Sequence, residues 1–393
     1  MKQAIILAAG EGQRLRPFTV SKPKVMLSVA GKPILQYVIE ALAACGIRDI
    51  IIVAGYRREQ IFDVLGEGET LGVDIRYVIQ ERQLGTAHAL RQAEGLARDE
   101  FIALPGDHLI EPETIRHFVS LPPWALLLKR VPESQTVRYG VVVTEDDHVL
   151  AIVEKPREPC AGLVSTGIFS LKREIFDHIG NEADMPAVIN RMVNSGQDIV
   201  AVETVGPWLD AVYPWDLLAL NNHALSTLSP LIGGTVENGA MLKGAVSLGA
   251  GSLVRSGNYI TGPILIGGGC DLGPGAVIGL GVSIGDNVTI GPFSVIENSL
   301  IGDDVAVGPG AVIQDSVIGS GCRIGAGFKA VSDDTEIRID DEYHPVKAGV
   351  MIGENCRIAS GVVAQAGTSI GNGCSVKALK VLSGRIGDGS MVV

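Results

Sequence analysis

From Val236 to Ile296 an aliphatic residue returns at every sixth position: Val236, Leu242, Leu248, Val254, Ile260, Ile266, Leu272, Ile278, Ile284, Ile290 and Ile296. This period matches neither the turn of an α-helix nor the two-residue alternation of a half-buried strand. It fits a hexapeptide β-helix. Three short strands complete one coil, the aliphatic side chain points inward onto its counterpart one coil away, and glycine relieves the corner. The spacing tightens to 17 residues per three repeats in Ile296 to Ile313, Ile301 to Ile318 and Val307 to Ile324, and the pattern resumes at Ile352, Ile358, Ile370 and Val376. Four of the six cysteines (Cys270, Cys322, Cys356 and Cys374) stand two residues before an inward aliphatic. That place takes a small buried side chain, so they read as packing rather than as metal or redox groups. Residues 332–349, "SDDTEIRIDDEYHPVKAG", break the period with six acidic residues and read as a solvated loop leaving the helix.

Glycine marks a boundary near residue 230: 17 of the 50 glycines precede it and 33 follow, so residues 1–230 and 231–393 are expected to be separate domains. The first part alternates strand and helix patterns. "QAIILAA" (3–9), "DIIIVAG" (49–55) and "EFIALPG" (100–106) are short, apolar and bounded by turn residues. Pro33 to Gly46 reads as a helix with one apolar face, and a second helix is expected from Thr86 to about Ala97. Apolar strands alternating with helices imply an α/β domain with a mainly parallel sheet covered on both sides. Ligands of such sheets sit past the strand C-termini, where Gly10 and Asp107 fall.

The chain carries a formal net charge of −12, which argues against a nucleic-acid or anionic-membrane surface. Six cysteines without a CxxC pair, and no apolar run of bilayer length, point to reduced thiols in a cytoplasmic protein with no membrane partner. Against that acidic balance, "AIILAAGEGQRLRPFTVSKPK" (4–24) gathers two arginines and two lysines beside a glycine turn. Gly10 and Gly12 let the backbone turn and expose amide N–H groups, a nest for phosphate oxygens. Arg14 adds a planar fork of donors and Lys24 a point charge.

"LAAGEGQRLRP…KPKVMLSVAGKPIL" resembles the signature of the sugar-1-phosphate nucleotidyltransferases, in particular the glucose-1-phosphate thymidylyltransferases and N-acetylglucosamine-1-phosphate uridylyltransferases. "QERQLGTAHAL" (80–90), "LPGDHLI" (104–110), "VEKP" (153–156), "STGIFSL" (165–171) and "WLDAVYPWDLL" (208–218) occur in the family's order. The resemblance covers essentially the whole chain. It implies a Rossmann-like nucleotidyltransferase domain with a mixed, mainly parallel sheet, followed by a left-handed parallel β-helix.

The resemblance also implies roles. Ala8, Ala9, Gly10 and Gly12 would hold the nucleoside triphosphate, with Arg14 and Lys24 as catalytic cations. Gln80, Gly85 and Thr86 would read a pyrimidine base. Asp107 and Asp210 would bind Mg²⁺. Gly140, Glu154, Lys155 and Thr166 would hold the sugar 1-phosphate. The reaction is dTTP or UTP plus glucose 1-phosphate or N-acetylglucosamine 1-phosphate giving the nucleotide sugar and pyrophosphate. Taken singly, Asp107 reads equally as a cap, Glu154–Lys155 as a solvated edge and Gln80 as a surface residue; six ordered segments set those readings aside. His88 and His108 receive no role.

Bifunctional relatives acetylate glucosamine 1-phosphate in the β-helix with a His and a Tyr, where this chain has Pro309 and Val312, and Ser332 stands in place of their Asn. The remaining candidate pair for such an activity is Tyr343–His344. A non-catalytic regulatory subunit of the same architecture is the other alternative, against which the joint presence of Arg14, Lys24, Asp107 and Asp210 argues. The β-helix is expected to serve assembly as a homo-oligomer, a trimer, or allosteric control.

Overall fold

The computed structural model describes residues 2–160, 162–204, 206–340 and 342–393. The chain forms two compact units. One comprises Met1–Glu11, Lys22–Met26 and Pro33–Asp210; the other comprises Gly12–Ser21, Leu27–Lys32 and Ala211–Val393.

The first unit is built on a nine-stranded sheet in the order Asp74–Ile79, Asp49–Ala54, Gln3–Ala8, Glu100–Pro105, Leu163–Lys172, Ala125–Arg130, Val200–Glu203, His148–Glu154 and Gly140–Glu145. The first four strands run parallel, and Leu163–Lys172 is antiparallel to both neighbours. The alternation of the apolar strands explains why both faces must be covered. Ala4, Ile6, Ala8, Ile50 and Ile52 enter one core, while Ile5, Ile51 and Val53 enter the other. The helix Ile34–Ala44 closes the first core with Leu35, Val38, Ile39 and Leu42; the helices Thr86–Gln92 and Met185–Asn194 close the second with Ala87, Leu90, Val188, Ile189 and Met192. Each such side chain contributes about 1.5–3 kcal/mol by leaving water. The helix expected to reach Ala97 stops at Gln92, and turns carry the chain past Gly95, the poorest helix former of that stretch.

In the second unit three parallel sheets, of nine, eight and eight strands, form the faces of a left-handed β-helix. The aliphatic repeat is its core: Leu248, Val254, Ile260, Ile266, Leu272, Ile278, Ile290 and Ile296 are fully buried. The tightened spacing is real register, since Ile296 pairs with Ile313, Ile301 with Ile318 and Val307 with Ile324. The four repeat cysteines are buried, and each thiol donates to a main-chain carbonyl: Cys270 to Gly285, Cys322 to Gly353, Cys356 to Gly371 and Cys374 to Gly387, at 3.0–3.1 Å. Burial raises the thiols of Cys270 and Cys374 above the ordinary range, which keeps them protonated donors.

One expectation fails in this unit. The acidic insertion is a β-hairpin rather than an irregular loop: Asp333–Ile339 pairs antiparallel with Glu342–Ala348. Its apolar residues alternate with the charges, and a Cβ on Gly367 would meet the Thr335 and Ile337 side chains at 2.9 and 3.1 Å, so one hairpin face lies on the coil. Among the described residues no helix is long and apolar enough to cross a membrane.

Candidate active site

In the first unit the site grows from the end of Glu100–Pro105. Beyond it, His108–Ile110 forms a two-stranded antiparallel ribbon with Trp208–Asp210, and the register sets Asp210 opposite His108. Two aspartates about a hundred positions apart in sequence thereby reach one ribbon end. Gly106 leads the chain there, with its N–H on Leu7 O at 3.0 Å; a Cβ on it would press on Ile6, Leu35 and Val25 at 3.1–3.2 Å.

Lys24 forms an ion pair with Asp107 Oδ2, both largely buried. Burial pushes the Asp107 carboxyl up, but the Lys24 ammonium, helped by His108, outweighs it and holds the group below the ordinary carboxylate range. The Trp208 indole donates to His108 Nδ1 at 3.1 Å, so the imidazole proton sits on Nε2, which faces Asp107 Oδ1 at 3.7 Å. Burial keeps His108 below its usual pKa against the pull of Asp107 and Asp210, with Lys24 adding to the depression. The neutral imidazole is thus a fixed dipole beside the carboxylate. Tyr139 donates to Asp210 Oδ1 at 2.8 Å and packs on Trp208 with ring centroids 5.3 Å apart. His108 and Tyr139 were missed by sequence reasoning; their one signal is adjacency to Asp107 and Gly140.

A second group forms where Gly140 pairs with Glu154 across neighbouring strands. A Cβ on Gly140 would lie 2.9 Å from Glu154 Oε2, so the glycine makes room for that carboxylate. Lys155 Nζ is 3.9 Å from Glu154 Oε1, and its backbone sits at φ +42°, a costly left-handed position for lysine, held by its N–H on Tyr139 O at 3.0 Å. Thr166 is buried, and its hydroxyl donates to Leu127 O at 2.7 Å while receiving Ile168 N at 3.3 Å. It shapes the irregularity between Ser165 and Ile168 with a hydroxyl already committed.

A third group surrounds the start of helix Thr86–Gln92. Gln80 N donates to Ala54 O at 2.8 Å, and Tyr56 N to Ala9 O at 3.2 Å, which brings the ends of three parallel strands together. Gly85 has φ +142° and no room for a Cβ: Ala183 O and Asp184 Oδ1 lie 2.5 Å from where it would stand. Thr86 N donates to Asp184 Oδ1 at 3.2 Å and Thr86 Oγ1 accepts from Met185 N at 2.9 Å. Gly10 is exposed with open space around it.

Gly12 and Arg14 belong to the second unit. Gly12 adopts φ +73° at the head of the turn Gln13–Leu15, and Arg14 Nε donates to Asp340 Oδ2 of the hairpin at 2.9 Å. Both groups of that pair are over a third exposed, so water and salt screen it. Arg14 lines a cavity of about 220 Å³ in that unit, together with Trp215, Arg338 and Arg385. Tyr343 and His344 point to opposite sides of one strand: His344 packs against Tyr213 at 4.5 Å between centroids, and Tyr343 is exposed.

The end of the parallel sheet thus gathers a glycine turn, a largely buried lysine and two aspartates on one ribbon. The family model for nucleotidyl transferase matches residues 3–227, and that for the GMPPB C-terminal domain matches residues 260–335. The chain belongs to the nucleotidyl transferase family. It is 33% identical over 277 residues to a glucose-1-phosphate thymidylyltransferase of Streptomyces antibioticus, covering 67% of this chain and 77% of that one. It is 32% identical over 262 residues to the bifunctional protein GlmU of Methanococcus maripaludis, covering 64% of this chain and 61% of the relative. The match to that relative therefore spans less than two thirds of its length. A crystal structure of a putative glucose-1-phosphate thymidylyltransferase from Bacillus anthracis superposes with TM-score 0.52 at 28% identity, over 56% of this chain and 94% of that one.

Proposed function

We propose that the chain is a sugar-1-phosphate nucleotidyltransferase acting on UTP or dTTP and on glucose 1-phosphate or its N-acetylamino analogue. The observation that carries the reading is the ribbon register, which sets Asp210 opposite His108 and so beside Asp107. A phosphate oxygen of the sugar attacks the α-phosphorus, the bond to the β-phosphate breaks, and pyrophosphate leaves with that electron pair. The nucleophile is already ionised, so no general base is needed; the obstacle is repulsion between two anions.

Asp107 and Asp210 would hold a divalent cation, and the donor set fits one. Two carboxylates, with no cluster of three or more metal-ligating side chains among the described residues, suit a hard ion that completes its shell from water and phosphate, as Mg²⁺ does. The chemistry supplied there is charge neutralisation at the reacting phosphate oxygens. Lys24, balanced by Asp107 in the free protein, turns to the triphosphate. Arg14 is the second cation of this reading. Ala8, Ala9, Gly10 and Gly12 offer backbone amides, and Gln80, Gly85 and Thr86 meet the base. Gly140, Glu154 and Lys155 receive the sugar phosphate, Glu154 on a hydroxyl and Lys155 on the phosphate. Thr166 contributes through its backbone and the strand irregularity, since its hydroxyl is engaged.

We place the chemistry in residues 1–230 and assembly in 231–393, in a cytoplasmic homo-oligomer, a trimer. Supporting assembly, one outer face of the β-helix carries Met241, Tyr259 and Val277 outward on successive coils and, beyond Lys329, Val363 beside Val381, all at least a third exposed. Pyrophosphate release across a matrix of four nucleotides and several sugar 1-phosphates tests the function; no release with any pairing removes it.

A further inference from the structure

Gln80 is 3% exposed, yet its side-chain amide is held by two partners. Its Nε2 lies 3.2 Å from Gly85 O and 2.8 Å from His88 Nδ1. A glutamine amide is nearly symmetric in shape and can turn over to present either a donor or an acceptor. Here it cannot. Gly85 O is a main-chain carbonyl that only accepts, so the atom facing it is the amide nitrogen, whatever the histidine does. Both N–H bonds are then committed, one to Gly85 O and one to His88 Nδ1. The imidazole must accept at Nδ1 and carry its proton on Nε2. The amide oxygen makes no hydrogen bond to any described residue.

The main chain that carries the imidazole is itself held in place. It rides on the first turn of helix Thr86–Gln92, whose start is tied down by Ala87 N and His88 N on Ala183 O at 2.8 and 3.1 Å. Gln92 Nε2 donates to His88 O at 3.0 Å. The ring therefore stands on an anchored backbone, with Gln80 Nε2 as the partner of its Nδ1.

We propose that His88 is a positioning residue that locks the Gln80 amide with its oxygen toward the nucleotide, so that the site selects a base offering a ring N–H. Uracil and thymine present N3–H to such an oxygen. Cytosine has the same size but carries a lone pair at N3, which the oxygen repels. The inference rests on the reading above that Gln80 meets the base, and adds what makes its choice one-sided. A site that leaves a buried polar group unpaired against the wrong ligand discriminates strongly, by a factor of ~100 or more.

The test is kcat/KM for pyrophosphate release from UTP, dTTP and CTP, together with equilibrium binding of UTP and CTP, on the full chain and two variants. The wild type should favour UTP and dTTP over CTP by ~100-fold or more. In His88→Leu the amide is free to turn, and the UTP/CTP ratio should fall about tenfold or more, through KM rather than kcat. In His88→Asn, whose Oδ1 can accept where Nδ1 does, the ratio should return toward the wild-type value; a purely structural histidine would lower UTP and CTP alike and leave it unmoved. A wild type that treats UTP and CTP equally, an unchanged ratio in His88→Leu, or a His88→Asn as unselective as His88→Leu overturns the inference. Nucleotide turnover with an unmoved ratio defeats only this inference. Selective binding without turnover supports it and defeats the enzymatic reading.

Discussion

The two units bury apolar surface in opposite ways. In the β-helix every coil repeats the last, so Ile278 does for its coil what Ile260 and Ile296 do for theirs, and the core is one column. In the first unit no position repeats. Ile5 and Ile6 serve different cores, and Asp107, His108 and Asp210 each stand at a place with no counterpart elsewhere in the unit. The repeated unit spreads its stability over many equivalent contacts; the unrepeated one ties its candidate site together from a few side chains by long-range contacts. Damage should therefore read out as stability in one and as rate in the other.

The sharpest break of that contrast is Phe328→Ala. Phe328 is fully buried in the β-helix column, and its truncation should cost about 3–5 kcal/mol in denaturant unfolding. A loss under ~1 kcal/mol would mean that the column collapses around the gap and that its repeats are not rigidly packed. Next, Asp107→Ala and Asp210→Ala should each slow turnover by a factor of about 10²–10³ or more while circular dichroism stays unchanged. Near-normal rates in either would remove the proposed cation site. Gly140→Ala sharpens the contrast within the first unit. Its Cβ would crowd Glu154 Oε2 at 2.9 Å, and displacing that carboxylate should raise KM for the sugar phosphate with little change in the nucleotide's KM. An equal rise in both would place Glu154 elsewhere in the reaction.

The smallest effect belongs to the β-helix surface. Arg255 donates twice to Asp271 at 2.8 Å, and those hydrogen bonds, against a small contribution from burial, hold the Asp271 carboxyl below its ordinary value. A depressed native pKa adds stability above the ordinary carboxylate range that is lost as pH falls through the native value. The Tm difference between wild type and Asp271→Asn should be small and positive at neutral pH and fade in acid; a difference that grows in acid would contradict the pairing.

The repeated unit was the more legible because its rule is local. A six-residue period names the inward residue, and the tightened spacing from Ile296 onward is visible as register before any coordinate is known. The hairpin Asp333–Ala348 was obscured because its six acidic residues mask the alternation of Thr335, Ile337 and Ile339. In the first unit, strand and helix patterns gave the α/β class, and ordered motifs named the candidate site residues. What joins them was not legible. The Lys24–Asp107 pair, the Trp208–His108 hydrogen bond and the Tyr139–Asp210 hydrogen bond all link residues more than seventy positions apart, and no local pattern encodes them. Nor could Thr166 be seen to spend its hydroxyl on Leu127. The Gln80–His88 contact spans only eight positions, but it depends on the turn at Gly85.

The account turns on the ribbon where the two aspartates meet. A crystal grown with a non-hydrolysable UTP analogue, a sugar 1-phosphate and Mn²⁺ would show it directly through the anomalous signal of the cation. The account predicts one peak within bonding distance of both Asp107 and Asp210, with Lys24 moved from Asp107 onto phosphate. A cation bound elsewhere, with Lys24 still paired to Asp107 and nucleotide in place, would contradict it.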